Sequence, residues 1–223
     1  MITVVVAVLA LVRDFTDLKI GTISDADASA TSTPGRSEQY GWGPGRDMYR
    51  VKETSPTAVF NSIIDNPYIG DERNFVKCRI EGVSNAKYAD EIAIRADVYI
   101  SVWVAIDNSS TRPDQAIRGG RMVMTSSPSK TPNPAVNVLL MGDNAAKVWD
   151  GCKVLSANPV TLYYVPGSAT LDIADLEPFA IDDAVVRGGA LLPGIRGNAA
   201  GVVGGDKTRY GYVTFRMRAL LED

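Results

Sequence analysis

Apolar and polar residues alternate most regularly between Glu91 and Asp107. Ile92, Ile94, Ala96, Val98, Ile100, Val102, Val104 and Ile106 hold every even position. Ala93, Arg95, Asp97, Tyr99, Ser101, Trp103 and Ala105 hold the odd ones. A period of two sends successive side chains to opposite faces, so the stretch predicts one long strand with a buried face and a mixed face. The turn-forming run Asp107-Asn108-Ser109-Ser110 closes it. Weaker versions of the pattern predict strands in FVKCRI (75–80), in Arg118–Thr125 and in AVNVLLMG (135–142). VTLYYVPGSATLDI (160–173) predicts two more, divided at Pro166-Gly167. Near the C-terminus Val213, Phe215 and Met217 alternate with Tyr212, Thr214, Arg216 and Arg218, and Gly204-Gly205-Asp206 before them suits a hairpin turn. No stretch carries amphipathic periodicity over a helix-like length, and no internal repeat is visible. Short strands divided by Gly- and Pro-rich turns predict an all-β protein, an immunoglobulin-like or Greek-key β-sandwich preceded by an extended N-terminal strand and arm.

The N-terminus breaks this pattern. Ile2 to Val12 is apolar throughout and is stopped by Arg13-Asp14. A membrane-crossing helix needs about 20 apolar residues, so no membrane span is expected here. The basic start and small-residue cleavage site of a signal peptide are also missing. Three readings stand: a truncated signal or anchor, a strand in the protein's own core, or a strand donated to a neighbouring subunit. The third would place Ile2, Val4, Val6, Val8, Leu9 and Leu11 at a subunit interface, and it explains how a valine-rich segment escapes aggregation. Residues 21–46 are rich in Ser, Thr, Asp, Gly and Pro, and read as an extended linker able to reach about 85 Å. The chain therefore divides into a hydrophobic segment (1–20), a linker (21–46) and a sandwich domain (47–223). Tyr40 and Trp42 lie near the linker's end, where they either pack beside the domain entrance or contact a ligand.

Composition narrows the function. The 223 residues are 45% hydrophobic and 22% charged, ordinary values for a globular chain. A formal charge of −3, with Lys and Arg scattered singly, argues against a nucleic-acid partner, since such binders present concentrated positive charge. There is no histidine. That removes imidazole bases, Ser-His-Asp and Cys-His nucleophile systems, and imidazole metal ligands. Two cysteines cannot complete a structural zinc site. Carboxylates at Asp71-Glu72, Asp90-Glu91, Asp172, Asp175, Asp182 and Asp183 leave carboxylate catalysis or calcium binding conceivable, but no D-x-D-x-D-G loop is present. None of the glycine clusters follows a strand and opens a helix, so phosphate cradling has no support. No cofactor is expected, and a binding or structural role is favoured over an enzyme.

The densest stretch is VFNSIIDNPYIGDERNFVKCRI (59–80). Asn66-Pro67 favours a turn and Gly70 supplies backbone freedom. Asp71 can accept backbone N–H bonds, and Glu72 with Arg73 can form a charge-assisted pair. Asn66, Pro67, Gly70, Asp71, Glu72 and Arg73 therefore predict a structural corner that clamps VFNSI against FVKCRI. Cys78 and Cys152 allow one disulfide; two buried free thiols fit the sequence equally.

GPGRDMYRV, VFNSIIDNPYIGDERNFV, VWDGCKV, LYYVPGSATL, GGALLPG and GYVTFRMRA occur in that order. Over roughly Gly43 to Ala219 the chain resembles a family of uncharacterised bacterial surface or secreted proteins, common in actinobacteria and candidate-phyla bacteria, which carry these blocks in the same order. The resemblance implies an extracellular or cell-surface location and brings no catalytic residues. Relatives often read PGC where this chain has LPGIRG, so a disulfide shared with the family is not implied. The leading expectation is a non-enzymatic extracellular structural protein that self-assembles into a surface filament or pilus-like fibre by strand donation. The alternative is an anchored adhesion or glycan-binding module, with Tyr40, Trp42, Tyr99 and Trp103 as contacts.

Overall fold

A computed structural model describes residues 41–194, 199–205 and 211–222, and their strands form two sheets. The first sheet runs in the order β1 (Val76–Ile80), β3 (Val98–Ile106), β11 (Gly211–Leu221), β8 (Thr170–Ile173) and β9 (Phe179–Ala180). Strand β7 (Val160–Tyr164) lies beside the C-terminal half of β11. The second runs β10 (Ala190–Leu191), β4 (Arg121–Ser126), β5 (Ala135–Gly142), β6 (Ala145–Leu155) and β2 (Glu91–Ala93). The protein is an all-β sandwich. In the second sheet three consecutive strands form a meander and β10 returns beside the first of them, the Greek-key spatial order. Among the described strands only β2 against β6 pairs in parallel. Among the described residues no helix is long and apolar enough to cross a membrane.

The centre of the first sheet is the nine-pair ladder of β3 on β11. Ile100, Val102, Val104 and Ile106 face inward from β3, and Val213, Phe215, Met217 and Ala219 from β11, all buried. They meet Met122, Met124, Val136, Val138 and Leu140 of the second sheet. Dry, interdigitated packing of this kind is the main stabilising term of a sandwich.

The long strand expected over 92–106 is two strands in two different sheets. Ile92 and Ile94 stay buried, then exposed Arg95 to Asp97 turn the chain across from the second sheet to the first. Asp97 anchors this crossing by accepting the Leu221 N–H at 2.9 Å. The apolar alternation survives because both halves face the same core. Strand β6 has a weaker apolar pattern because its inward row, Val148, Asp150, Cys152 and Val154, includes a carboxylate.

Cys78 of β1 and Cys152 of β6 are disulfide-bonded, with Cα atoms 6.0 Å apart. The bond joins the two sheets along one edge. Segment 89–93 lies along the same seam: Ala89 exchanges backbone hydrogen bonds with Cys78, and the Asp90 carbonyl accepts the Lys153 N–H at 2.8 Å.

The linker's last residues belong to the body. Trp42 is buried, and Gly43 exchanges hydrogen bonds of 2.8 and 2.7 Å with Trp149. Arg46 donates from Nη2 to the Asn61 carbonyl at 2.7 Å and from Nε to Ser62 Oγ at 3.2 Å. The packed body thus begins ahead of residue 47. Ile2, Val4, Val6, Val8, Leu9, Leu11, Tyr40 and Asp206 lie outside the described residues.

Candidate functional site

Asn66 and Gly70 close a tight loop by exchanging backbone hydrogen bonds of 2.9 and 2.8 Å. The Asn66 side chain accepts the Tyr68 N–H across Pro67, and Gly70 takes φ +75°, which a side chain would disfavour. Asp71 accepts the Arg73 backbone N–H at 3.0 Å and its Nε–H at 2.9 Å. The expected pairing of Glu72 with Arg73 is not made. Arg73 pairs with Asp71 and lays its guanidinium 4.5 Å from the centre of the Trp42 ring, while Glu72 turns into the protein. Adjacent residues in an irregular turn point in different directions, so neighbouring opposite charges need not meet.

Glu72 is fully buried. Its carboxyl group accepts the Ile63 N–H at 2.8 Å, the Asn66 amide at 2.6 Å and the Ser109 hydroxyl at 3.4 Å. Burial, reinforced by nearby Asp107, pushes its pKa up to about 8 despite those donors. Arg46 is pulled down to about 10 by burial and by the neighbouring Arg73 charge. Asp71 stays below its ordinary value: burial works to raise it, but the hydrogen bonds from Arg73 prevail. The VFNSI segment is tied to the end of β3 as well, since Asn61 donates to the Ala105 carbonyl at 2.8 Å and accepts the Asp107 N–H at 2.7 Å. The corner is thus bonded mostly within itself, with Glu72 reaching Ile63 and Ser109 and Arg73 reaching the Trp42 ring.

The outer face of the first sheet has a different character. Because even positions of β3 are inward, the odd ones, Tyr99, Ser101 and Trp103, look outward. From β11 the outward residues are Tyr212, Thr214, Arg216 and Arg218. Trp103 lies 6.4 Å from the Tyr88 ring and 5.9 Å from the Tyr212 ring, tilted by 42° and 33°. Arg79 covers the Tyr88 ring at 4.7 Å, and Arg216 covers the Tyr99 ring at 4.7 Å. Arg216 is held in turn by Glu81, donating from Nη2 at 2.7 Å and from Nε at 2.9 Å. Tyr88 and Ser101 share a hydroxyl–hydroxyl hydrogen bond of 2.8 Å. Tyr163, opposite Arg218 in the register, extends the face and is 49% exposed.

Of the four aromatic residues considered as ligand contacts, Tyr99 and Trp103 stand on this face. Trp42 does not: it is buried beneath Arg73 and unavailable to a ligand. Tyr88, Tyr212, Arg79 and Arg216 were not singled out from sequence. Tyr212 and Arg216 sit in the same alternating pattern as β11's core residues, and that outward row was the available signal.

A cleft of about 460 Å³ opens between Ala93–Arg95, Leu155–Asn158, Asn133 and Leu221; Arg95 is its one charged lining residue. It holds no carboxylate, so the acid pairs considered from sequence do not converge there. In comparison with known proteins, no family model, no curated protein and no solved structure matches the chain.

Proposed function

We propose that this chain is a non-enzymatic extracellular binding module that takes a polysaccharide on the outer face of its first sheet. One observation carries the reading: the linked rings of Tyr88, Trp103 and Tyr212, bordered by Arg79 and Arg216. Sugar rings have apolar C–H faces that pack on aromatic planes, and rim hydroxyls that need donors and acceptors. Here the rings supply the first, and Arg79, Glu81, Thr214 and Arg216 supply the second. Arg79, Trp103, Tyr212 and Arg216 stand on paired strands, and Arg79 and Arg216 already lie over aromatic rings, so little ordering cost remains for them on binding.

Two further features support an extracellular setting. The Cys78–Cys152 disulfide suits an oxidising compartment. The family resemblance points the same way.

Strand donation, the leading expectation from sequence, takes second place. Its donor residues lie outside the described part. Among the described strands the sheet-edge partners are short, with two residues in β9 and β10, three in β2 and five in β1 and β7. An eleven-residue donor strand needs a longer edge to pair along.

A screen of the purified protein against an array of bacterial and host glycans tests the proposal. Binding to a defined polysaccharide class supports it. An array without hits, on protein shown to be folded, sinks it.

A further inference from the structure

The seam between β1 and β6 buries three acceptor oxygens that have no hydrogen-bond partner: Asn74 Oδ1, Asp90 Oδ1 and Asp150 Oδ1. Among the described residues no other buried side-chain nitrogen or oxygen is in that state. Native proteins rarely leave such groups unmet, because each carries a desolvation penalty.

The three belong to one place. The Asn74 amide donates to Asp90 Oδ2 at 3.0 Å. Asp150 is fully buried, its Oδ2 accepts the N–H of Val76 at 2.6 Å, two residues beyond Asn74, and the N–H groups of Gly151 and Phe75 flank the carboxylate. Asp90 is close enough for its charge to act on Asp150. The Asp90 backbone bonds to Lys153 on the strand that carries Asp150.

With the Asn74 amide committed to Asp90 and both carboxyl groups ionised, the three remaining atoms only accept, and what fills the seam in that state must be electron-poor. One water donates two hydrogen bonds and leaves a third oxygen unmet. A cation serves all three. Two carboxylates and one carboxamide form an all-oxygen set of the kind a hard cation selects, and a mixed, irregular set suits calcium better than magnesium. The set contains only two acidic residues, which is why no group of three or more His, Cys, Asp or Glu residues marks it among the described residues. The nearby Arg46 guanidinium, which interacts with Asp150, weakens the site towards the affinity of extracellular calcium modules.

We propose that Asn74, Asp90 and Asp150 together bind one calcium ion beside the Cys78–Cys152 disulfide. The ion would cross-link three segments far apart in sequence and lock the edge where the two sheets meet. The site is separate from the outer face and does not depend on the glycan reading.

Calcium-depleted full-length protein, titrated with calcium chloride by isothermal calorimetry and by thermal melting, tests this. The expected result is one site with a dissociation constant of about 10⁻⁴ to 10⁻³ M. At ten times that concentration the melting temperature rises by about 3–5 °C. Chelation reverses the rise, magnesium gives less of it, and Asp90→Asn abolishes it while Asp172→Asn on β8 keeps it. No heat and no melting shift with wild-type protein overturns the proposal, as does a shift that persists unchanged in Asp90→Asn. The wild-type titration decides the matter even where a variant fails to fold.

Discussion

Glu72 and Ile63 exchange two hydrogen bonds: the Glu72 N–H donates to the Ile63 carbonyl at 2.9 Å, and the Ile63 N–H donates to Glu72 Oε2 at 2.8 Å. The same carboxyl group takes the Asn66 amide, so one buried side chain closes the 66–70 loop and fastens the VFNSI segment. Glu72→Ala strands those donors in a dry site. It is expected to cost about 3 kcal/mol or more, at about 1–3 kcal/mol per unsatisfied buried group. Urea denaturation of wild type and variant measures it; a loss below 1 kcal/mol would show that the corner contributes little.

The acidity of Glu72 gives a pH signature. Its folded-state pKa, pushed to about 8, lies above that of an unfolded glutamate. Between those values the folded state binds more protons, so stability is highest below the unfolded value and falls as pH rises towards 8. Buried Asp150, also raised by burial, acts in the same direction. Unfolding free energy is expected to drop by a few kcal/mol between pH 5 and pH 8, and Glu72→Gln should flatten that slope. A slope unchanged in the variant contradicts the assignment.

Gly43 tests whether the end of the arm is part of the fold. A Cβ at this position would come within 2.7 Å of the Trp149 indole. Gly43→Ala is therefore expected to destabilise by about 1–3 kcal/mol, the usual cost of overpacking. A neutral result in thermal melting would mean that Trp42 to Arg46 is only loosely attached.

Loss of the disulfide should be felt by the whole sandwich. Cys78 and Cys152 are separated by 74 positions. Loop-closure entropy for a ring of that size corresponds to about 4 kcal/mol. Cys78→Ala with Cys152→Ala, followed by chemical denaturation, measures it. An equal stability of double variant and wild type would remove the bond from the list of stabilising features.

Much of the sandwich was legible in its apolar spacing, because the rows Ile100–Ile106 and Val213–Met217 follow the period of a half-buried strand without interruption. The sheet crossing at Arg95–Asp97 was not, since alternation reports which side faces the core and says nothing about which sheet supplies the partner. Strand β6 was obscured by Asp150, a charged residue in an inward position. Glu72 defeated a local reading for a similar reason: its partners, Ile63 and Ser109, are brought to it by the fold. The ring contacts of Trp103 with Tyr88 and Tyr212 depend partly on β3 pairing with β11, more than a hundred residues later, which no local pattern reveals.

The outer face is the centre of the functional account, and Trp103 is its middle ring. The most direct measurement is the affinity of wild type, Trp103→Ala and the corner variant Tyr68→Ser for the polysaccharide that binds best on the array, with melting curves confirming that all three fold. Removing a stacking ring is expected to weaken binding on the order of tenfold, about 1.4 kcal/mol, while Tyr68→Ser, at an 81% exposed residue of the 66–70 loop, leaves it unchanged. Full affinity in folded Trp103→Ala would contradict the assignment of this face as the binding surface.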